Sequence, residues 1–112
     1  MKRGEIYYAN LNPSIGDEIK NIRPVLIVSN NMNNKMGNTV TVLPITKNVA
    51  RVYPFEIFLP KQKTGLAHDS KAQAHQVRTI SKQRINSGVK GHVDVSTMQR
   101  VERALQLHLD LR

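Results

Sequence analysis

Apolar residues in this chain fall into short runs between polar stretches, and each run predicts an element. Val25 to Val28 is aliphatic and unbroken, bounded by Pro24 and Ser29, so it predicts a strand buried on both faces. Pro24 holds φ at the first residue of that strand and pushes Arg23 toward extended geometry. Glu5 to Leu11 (EIYYANL) predicts an earlier strand of mixed polarity, closed by the turn residues Asn12, Pro13 and Ser14. Thr39 to Ile45 (TVTVLPI) alternates and is β-branched, with Pro44 expected at its edge or end. Pro54 to Leu59 puts Phe55, Ile57 and Leu59 on one side of a further strand, and Ser70 to Ile80 reads as a polar strand carrying Lys71, Gln73, His75 and Gln76.

The connecting pieces are equally distinct. Asn30 to Asn38 holds five asparagines and a glycine, which compete with any ladder and predict a surface loop or a fragment of helix. Ser81 is placed to cap a single helical turn through Arg84, and Gly88 to Val93 predicts a short strand or turn. The last segment predicts the one long helix. Ser96 to Gln99 forms an S-x-x-Q capping pattern, and Met98, Val101, Ala104, Leu105 and Leu109 share one stripe, widened by Leu107 and Leu111. That stripe is read as core, with part of it a candidate dimer face. Five or six short strands and a terminal helix predict a mainly β chain with short helices, folded as a small, partly open antiparallel barrel.

At 112 residues the chain is expected to form one domain, 1–112, around a single core. Charge then narrows the partner class. Seventeen Lys and Arg against eight Asp and Glu give a formal charge of +9, with a pI near 10.3. The basic residues are spread along the chain instead of gathering in a tail, which suits a polyanion such as nucleic acid. Without cysteine there are neither disulfides nor thiolate metal sites. No apolar stretch approaches a membrane span and the N-terminus lacks an apolar signal core, so a cytoplasmic protein without membrane contact is the simplest expectation.

Few chemistries fit the remaining residues. His68, His75, His92 and His108 are widely separated and no two stand at i, i+4, so no metal is expected; there is no phosphate-binding glycine loop and no nucleophile elbow. What is left points at phosphate. Arg23 at a strand start offers a planar, permanently charged fork, Thr46 at a strand end offers a hydroxyl, and the segment from His75 to Arg78 is polar. Each has a plainer reading: Arg23 as a strand-edge arginine paired with Asp17 or Glu18, and Thr46 as a turn residue. Cleaving RNA would need no cofactor, because the 2′-OH is an internal nucleophile and the protein supplies position, charge and proton transfer. Arginine stays protonated, so the proton would leave through Glu18, His75, water or the phosphate itself.

KRGEIYYANLNPSIGDE, IRPVLIVSN, VLPIT, VYPFEIFL, DSKAQAHQVRTI and ERALQLHLDL, in this order, resemble the MazF/PemK family of toxin endoribonucleases from type II toxin–antitoxin systems. The resemblance implies an SH3-like barrel of the plasmid-maintenance-toxin type, acting as a homodimer. It also implies metal-independent cleavage of single-stranded RNA to a 2′,3′-cyclic phosphate and a 5′-hydroxyl, and inhibition by an acidic antitoxin. On it, Arg23 and Thr46 correspond to the family's catalytic pair and Glu18 to the glutamate of the mobile loop beside the RNA groove. Asp17, Lys20, Asn21, Lys47, Lys71, Gln76 and Arg78 are the expected RNA contacts. His75 stands where many relatives carry an acid, and either replaces that acid as a proton carrier or contacts RNA. A non-catalytic nucleic-acid-binding barrel and a gyrase-directed toxin of the same fold are the competing readings.

Overall fold

The computed structural model describes all residues from Met1 to Arg112. Seven strands form one curled antiparallel sheet: β1 (Glu5–Asn10), β2 (Ile22–Ile27), β3 (Thr39–Thr46), β4 (Glu56–Leu59), β5 (Ser70–Gln73), β6 (Arg78–Ser81) and β7 (Gly91–His92). Three helices join them: α1 (Asn31–Met36), α2 (Lys61–Thr64) and α3 (Val95–Leu109). The strand order is β4-β5-β3-β2-β1-β7, with β6 also paired to β3. No helix is long and apolar enough to cross a membrane.

β3 is the hub, because it changes partners along its length, and the two prolines mark the changes. On its β2 edge, Val28 N–H donates to Thr41 C=O at 2.9 Å, which sets Val28, Leu26 and Pro24 as the residues whose nitrogens face β3. Pro24 has no N–H to give, and the last registered pair on this edge is Val25 with Pro44. On the other edge, Lys82 N–H donates to Asn38 C=O at 3.0 Å, so the even residues of β3 face β6. Pro44 belongs to that series and lies just past the last β6 pair, Val42 with Arg78. Beyond it, Ile45 and Thr46 pair with Ala72 and Lys71 of β5. Each missing donor therefore falls where a ladder has already ended.

The structure corrects several sequence expectations. Pro24 is the third residue of its strand, not the first, and Pro44 lies inside β3 instead of ending it. Ser70 to Ile80 is no continuous strand: Ala74–Gln76 forms a 3-10 turn between β5 and β6, since Ala74 N–H is taken by Phe55 C=O and the chain must swing from one ladder to the next. Helix α3 begins two residues early, capped by Asp94, whose carboxylate accepts from Thr97 N–H at 2.8 Å, and not by Ser96. Of its apolar stripe, Met98, Val101 and Ala104 are buried, while Leu107, Leu109 and Leu111 are exposed. The cap at Ser81 is present, its hydroxyl accepting from Gln83 N–H at 3.1 Å.

The apolar residues fill two clusters on opposite faces of the same sheet, where one core was expected. Leu26, Leu43, Ile45, Ile57 and Leu59 pack with Met98, Val101 and Ala104 of α3. Tyr7, Ala9, Val25, Ile27, Val40, Val42 and Ile80 fill the inside of the curl. Alternation along β2 explains the split, Leu26 facing one cluster and Val25 and Ile27 the other. Leu43→Ala removes a fully buried side chain from the hub strand, and chemical denaturation should show a loss of about 2–5 kcal/mol. Leu107→Ala, on the exposed part of α3, should change stability by less than about 0.5 kcal/mol.

Candidate active site

Strand register brings Arg23 and Thr46 together. The β2–β3 pairs run Ile27 with Val42, Leu26 with Leu43 and Val25 with Pro44, and the same register continued by two residues sets Arg23 opposite Thr46. Both follow the alternation of the cluster inside the curl, after Val25 and Ile27 on β2 and after Val40 and Val42 on β3. Arg78 joins them, two residues before Ile80 on β6. Two strands thus set Arg23 and Thr46 at one end of one face, while Arg78 shares that face but pairs with Val42, four residues short of Thr46 along β3.

The first two side chains are held while keeping their reactive ends available. Arg23 Nε donates to Lys20 C=O at 2.7 Å, and its terminal nitrogens make no hydrogen bond or ion pair. The Glu18 carboxylate is engaged elsewhere, accepting from Ile15 N–H at 2.6 Å. The strand-edge ion pair that offered the plainer reading of Arg23 is therefore absent. Thr46 Oγ1 accepts from Asn48 N–H at 3.3 Å, which fixes the turn after β3 and leaves the hydroxyl proton free to donate. Thr46 is thus a turn residue and an available donor at once.

The loop between β1 and β2 lies over this end. Leu11 N–H donates to Asn21 C=O at 3.0 Å and Asn21 N–H to Asn12 Oδ1 at 3.1 Å, closing its base. Asn21 adopts φ 74°, a left-handed conformation that asparagine tolerates better than most residues. Gln76 clasps the loop with both ends of its amide: Ile19 N–H donates to Oε1 at 3.3 Å, and Nε2 donates to Asp17 C=O at 3.1 Å. Arg78 Nη1 donates to Leu11 C=O at 3.2 Å. Lys20 and Lys47 are exposed, as is Asp17. A cleft of about 360 Å³ beside Arg23 is lined by Tyr8, Asn21, Lys47 and His68 among others. His68 was not assigned to this site from sequence, because only the fold brings the segment before β5 against β1; Tyr8 was a candidate there only as one of several aromatic rings able to stack on a base.

Lys71 occupies a different role from the expected RNA contact. It pairs with Thr46 across β3 and β5, but its ammonium turns inward, 3.0 Å from Glu56 Oε1 and 2.6 Å from Arg51 C=O, and is only 9% exposed. Glu56 also accepts from Tyr53 N–H at 3.0 Å and Gln73 Nε2 at 2.9 Å. Burial pushes the Glu56 carboxyl up, but these donors and the ammonium outweigh it and hold the pKa below the ordinary glutamate range. The pair consequently stabilises the fold at neutral pH and loses that contribution as acid protonates Glu56. Its effect is to fix the loop from Arg51 to Phe55, where Tyr53 and Phe55 stack at 5.4 Å.

His75 stands at the end of this aromatic row, edge-on to Phe55 at 4.5 Å and 6.5 Å from the His108 ring. Burial lowers its pKa from 6.5; Glu56 opposes the shift, while His108 and Lys71 reinforce it. The ring is therefore neutral at pH 7, and its Nδ1 is buried without a hydrogen-bond partner. A smaller recess of about 320 Å³ joins His75 to Glu18, Gln76 and Arg78. No three His, Asp or Glu side chains gather into a metal-binding cluster. As a chemical arrangement, Arg23 offers a fixed guanidinium beside one cleft, Thr46 a hydroxyl donor at the strand end opposite it, and His75 an imidazole in a separate recess.

Comparison with known proteins places the chain in a family. The family described as PemK-like, MazF-like toxin of type II toxin-antitoxin system matches residues 2–109. The chain is 42% identical over 116 aligned residues to endoribonuclease MazF9 of Mycobacterium tuberculosis, covering 99% of this chain and 98% of the relative. It is 35% identical over 112 residues to endoribonuclease EndoA of Bacillus subtilis, covering 99% and 96%. Among solved structures, a mycobacterial endoribonuclease in complex with its cognate antitoxin superposes with a TM-score of 0.81 at 25% identity, over 100% of this chain and 97% of that one. MazF from Deinococcus radiodurans superposes at 0.84 over 98% and 96%, and at 23% identity it speaks for the fold alone. With the family match running almost from end to end and two relatives this similar over their whole length, the chain belongs to the PemK-like, MazF-like toxins of type II toxin–antitoxin systems.

Proposed function

We propose that this MazF-family endoribonuclease toxin cuts single-stranded RNA, mRNA above all, by attack of the 2′-OH on the adjacent phosphorus. The O2′–P bond forms as the P–O5′ bond breaks, and the proton given up by the 2′-OH passes through the phosphate or water to O5′, leaving a 2′,3′-cyclic phosphate and a 5′-hydroxyl. The observation that carries this reading is the register of β2 and β3, which continued two residues past its last pair sets Arg23 opposite Thr46, with a guanidinium free of ion pairs. Charge grows on the non-bridging oxygens as phosphorus becomes five-coordinate, and a preoriented guanidinium and hydroxyl stabilise it more than they stabilise the ground state. The reaction needs no metal, because nucleophile and electrophile already share one ribose phosphate.

The +9 charge draws the polyanion into the cleft beside Arg23. Lys20, Lys47 and Arg78 contribute to the field there, and the loops at 11–21 and 47–55 read the RNA sequence. Lys71 acts indirectly by fixing the second loop. The protein works as a homodimer that destroys transcripts and arrests growth, and an acidic antitoxin holds it inactive by covering the same basic cleft. The antitoxin complex of the mycobacterial endoribonuclease supports this partner.

Two experiments test the reading. Purified protein incubated with a long unstructured RNA in EDTA should give discrete cuts with cyclic-phosphate ends, and Arg23→Ala should slow single-turnover cleavage by about a hundredfold or more. Retardation of RNA without cutting would favour a binding barrel, and a variant as fast as the parent would remove Arg23 from the chemistry. His75→Ala separates proton transfer from packing. Because burial keeps the His75 pKa below 6.5, a base at this position would lose activity as pH falls through that lowered value. In our reading His75 supports the RNA surface, so the variant's rate should fall by a similar factor at every pH from about 5 to 8; loss of an acid limb from the profile would make it the proton carrier.

A further inference from the structure

We infer that Gln76 is a positioning residue for Arg23, acting through the loop between β1 and β2 and not through contact with RNA. This rests on Arg23 serving as the catalytic arginine. Gln76 sits in the 3-10 turn Ala74–Gln76, anchored to the body of the fold by the buried Ala74. Its amide spans to the loop in both directions, accepting from Ile19 N–H and donating to Asp17 C=O. The next residue of the loop, Lys20, gives its carbonyl to Arg23 Nε at 2.7 Å. A continuous hydrogen-bonded path therefore runs from Gln76 through residues 17–20 to the guanidinium.

The path matters because the loop has few other anchors near Arg23. The Glu18 carboxylate bonds within the loop itself, to Ile15 N–H, and the bonds from Arg78 to Leu11 and from Asn21 to Asn12 tie down only its base. Residues 15–18 are exposed. Between the base and Gln76 only the Ile19 side chain, packed against the cluster inside the curl, holds the loop to the body of the fold, so the Gln76 clasp and that one contact are what resist local opening. An arginine side chain with a free Nε samples many rotamers, and one tied at Nε points its terminal nitrogens in a narrow cone. Each polar end of the Gln76 amide spends one hydrogen-bonding position on the loop backbone.

Gln76→Met tests this, since methionine keeps the volume and the stem while removing donor and acceptor. The expected result is a fall in kcat of about ten- to hundredfold with KM changed less than about threefold. Backbone exchange at Ile19 should accelerate by about tenfold or more. Gln76→Glu keeps the acceptor for Ile19 and loses the donor to Asp17, so it should fall between the parent and the methionine variant in both readouts. If Gln76→Met does not fold, Gln76→Asn is measured in the same way, because its shorter stem cannot reach both backbone partners. An unchanged kcat, an unchanged Ile19 exchange rate, or a loss confined to KM would each overturn the inference. Arg23→Ala distinguishes the two levels. If that variant is inactive while Gln76→Met retains full kcat, only the clasp fails; if Arg23→Ala is fully active, the catalytic reading fails irrespective of Gln76.

Discussion

Everything at the functional end of this molecule depends on β3 exchanging one partner for another without leaving a buried donor or acceptor stranded. Backbone groups in a sheet interior must be paired, and a strand that leaves β6 for β5 midway creates positions where nothing can pair. Pro44 fills one and Pro24 fills its counterpart across the β2 edge. Continued past the last ladder pair, the register sets Arg23 opposite Thr46 at the end of a buried segment, with both side chains half-buried. The strand interior supplies precision and the unladdered end supplies access, the combination the proposed catalytic pair requires.

Around that pair the chain uses its polar residues in two ways. Some are exposed and act through charge, as with Lys20 and Lys47. Others are spent on architecture close to the site. Lys71 and Glu56 hold the loop after β3, Gln76 holds the loop after β1, and Asn21 closes that loop's base. A basic protein of this kind cannot be understood by summing its lysines. A buried ammonium satisfied by a carboxylate and a carbonyl contributes little to an external field and a good deal to the position of its neighbours.

The elements that periodicity and turn chemistry define were legible in the sequence. Val25 to Val28 announced a strand buried on both faces, and the spacing of Met98, Val101 and Ala104 announced the helix that covers one of them. The convergence of Arg23 and Thr46 was legible only through a family resemblance, since register between β2 and β3 is set by tertiary pairing and not by either segment alone. The break at Ala74–Gln76 was hidden, because a sequence alternating small and polar residues looks the same whether it continues or swings to another ladder. Lys71 was misjudged for a related reason. Its side chain suits RNA equally well, and only the position of Glu56 reveals that its ammonium is turned inward; the bonds of Gln76 to Asp17 and Ile19 were hidden in the same way. Asp94, preceding a plausible capping pattern, competed with Ser96 and won because its carboxylate reaches Thr97 N–H.

The central claim is that Arg23 and Thr46 act on one phosphate as a unit, and a double-mutant cycle measures that directly. Single-turnover cleavage rates for the parent, Arg23→Lys, Thr46→Val and the double variant give a coupling energy between the two side chains. If they share the developing charge, the double variant should be little slower than the slower single variant, with a coupling of about 1–3 kcal/mol. Losses that simply add would mean that the two residues act independently and would contradict the account.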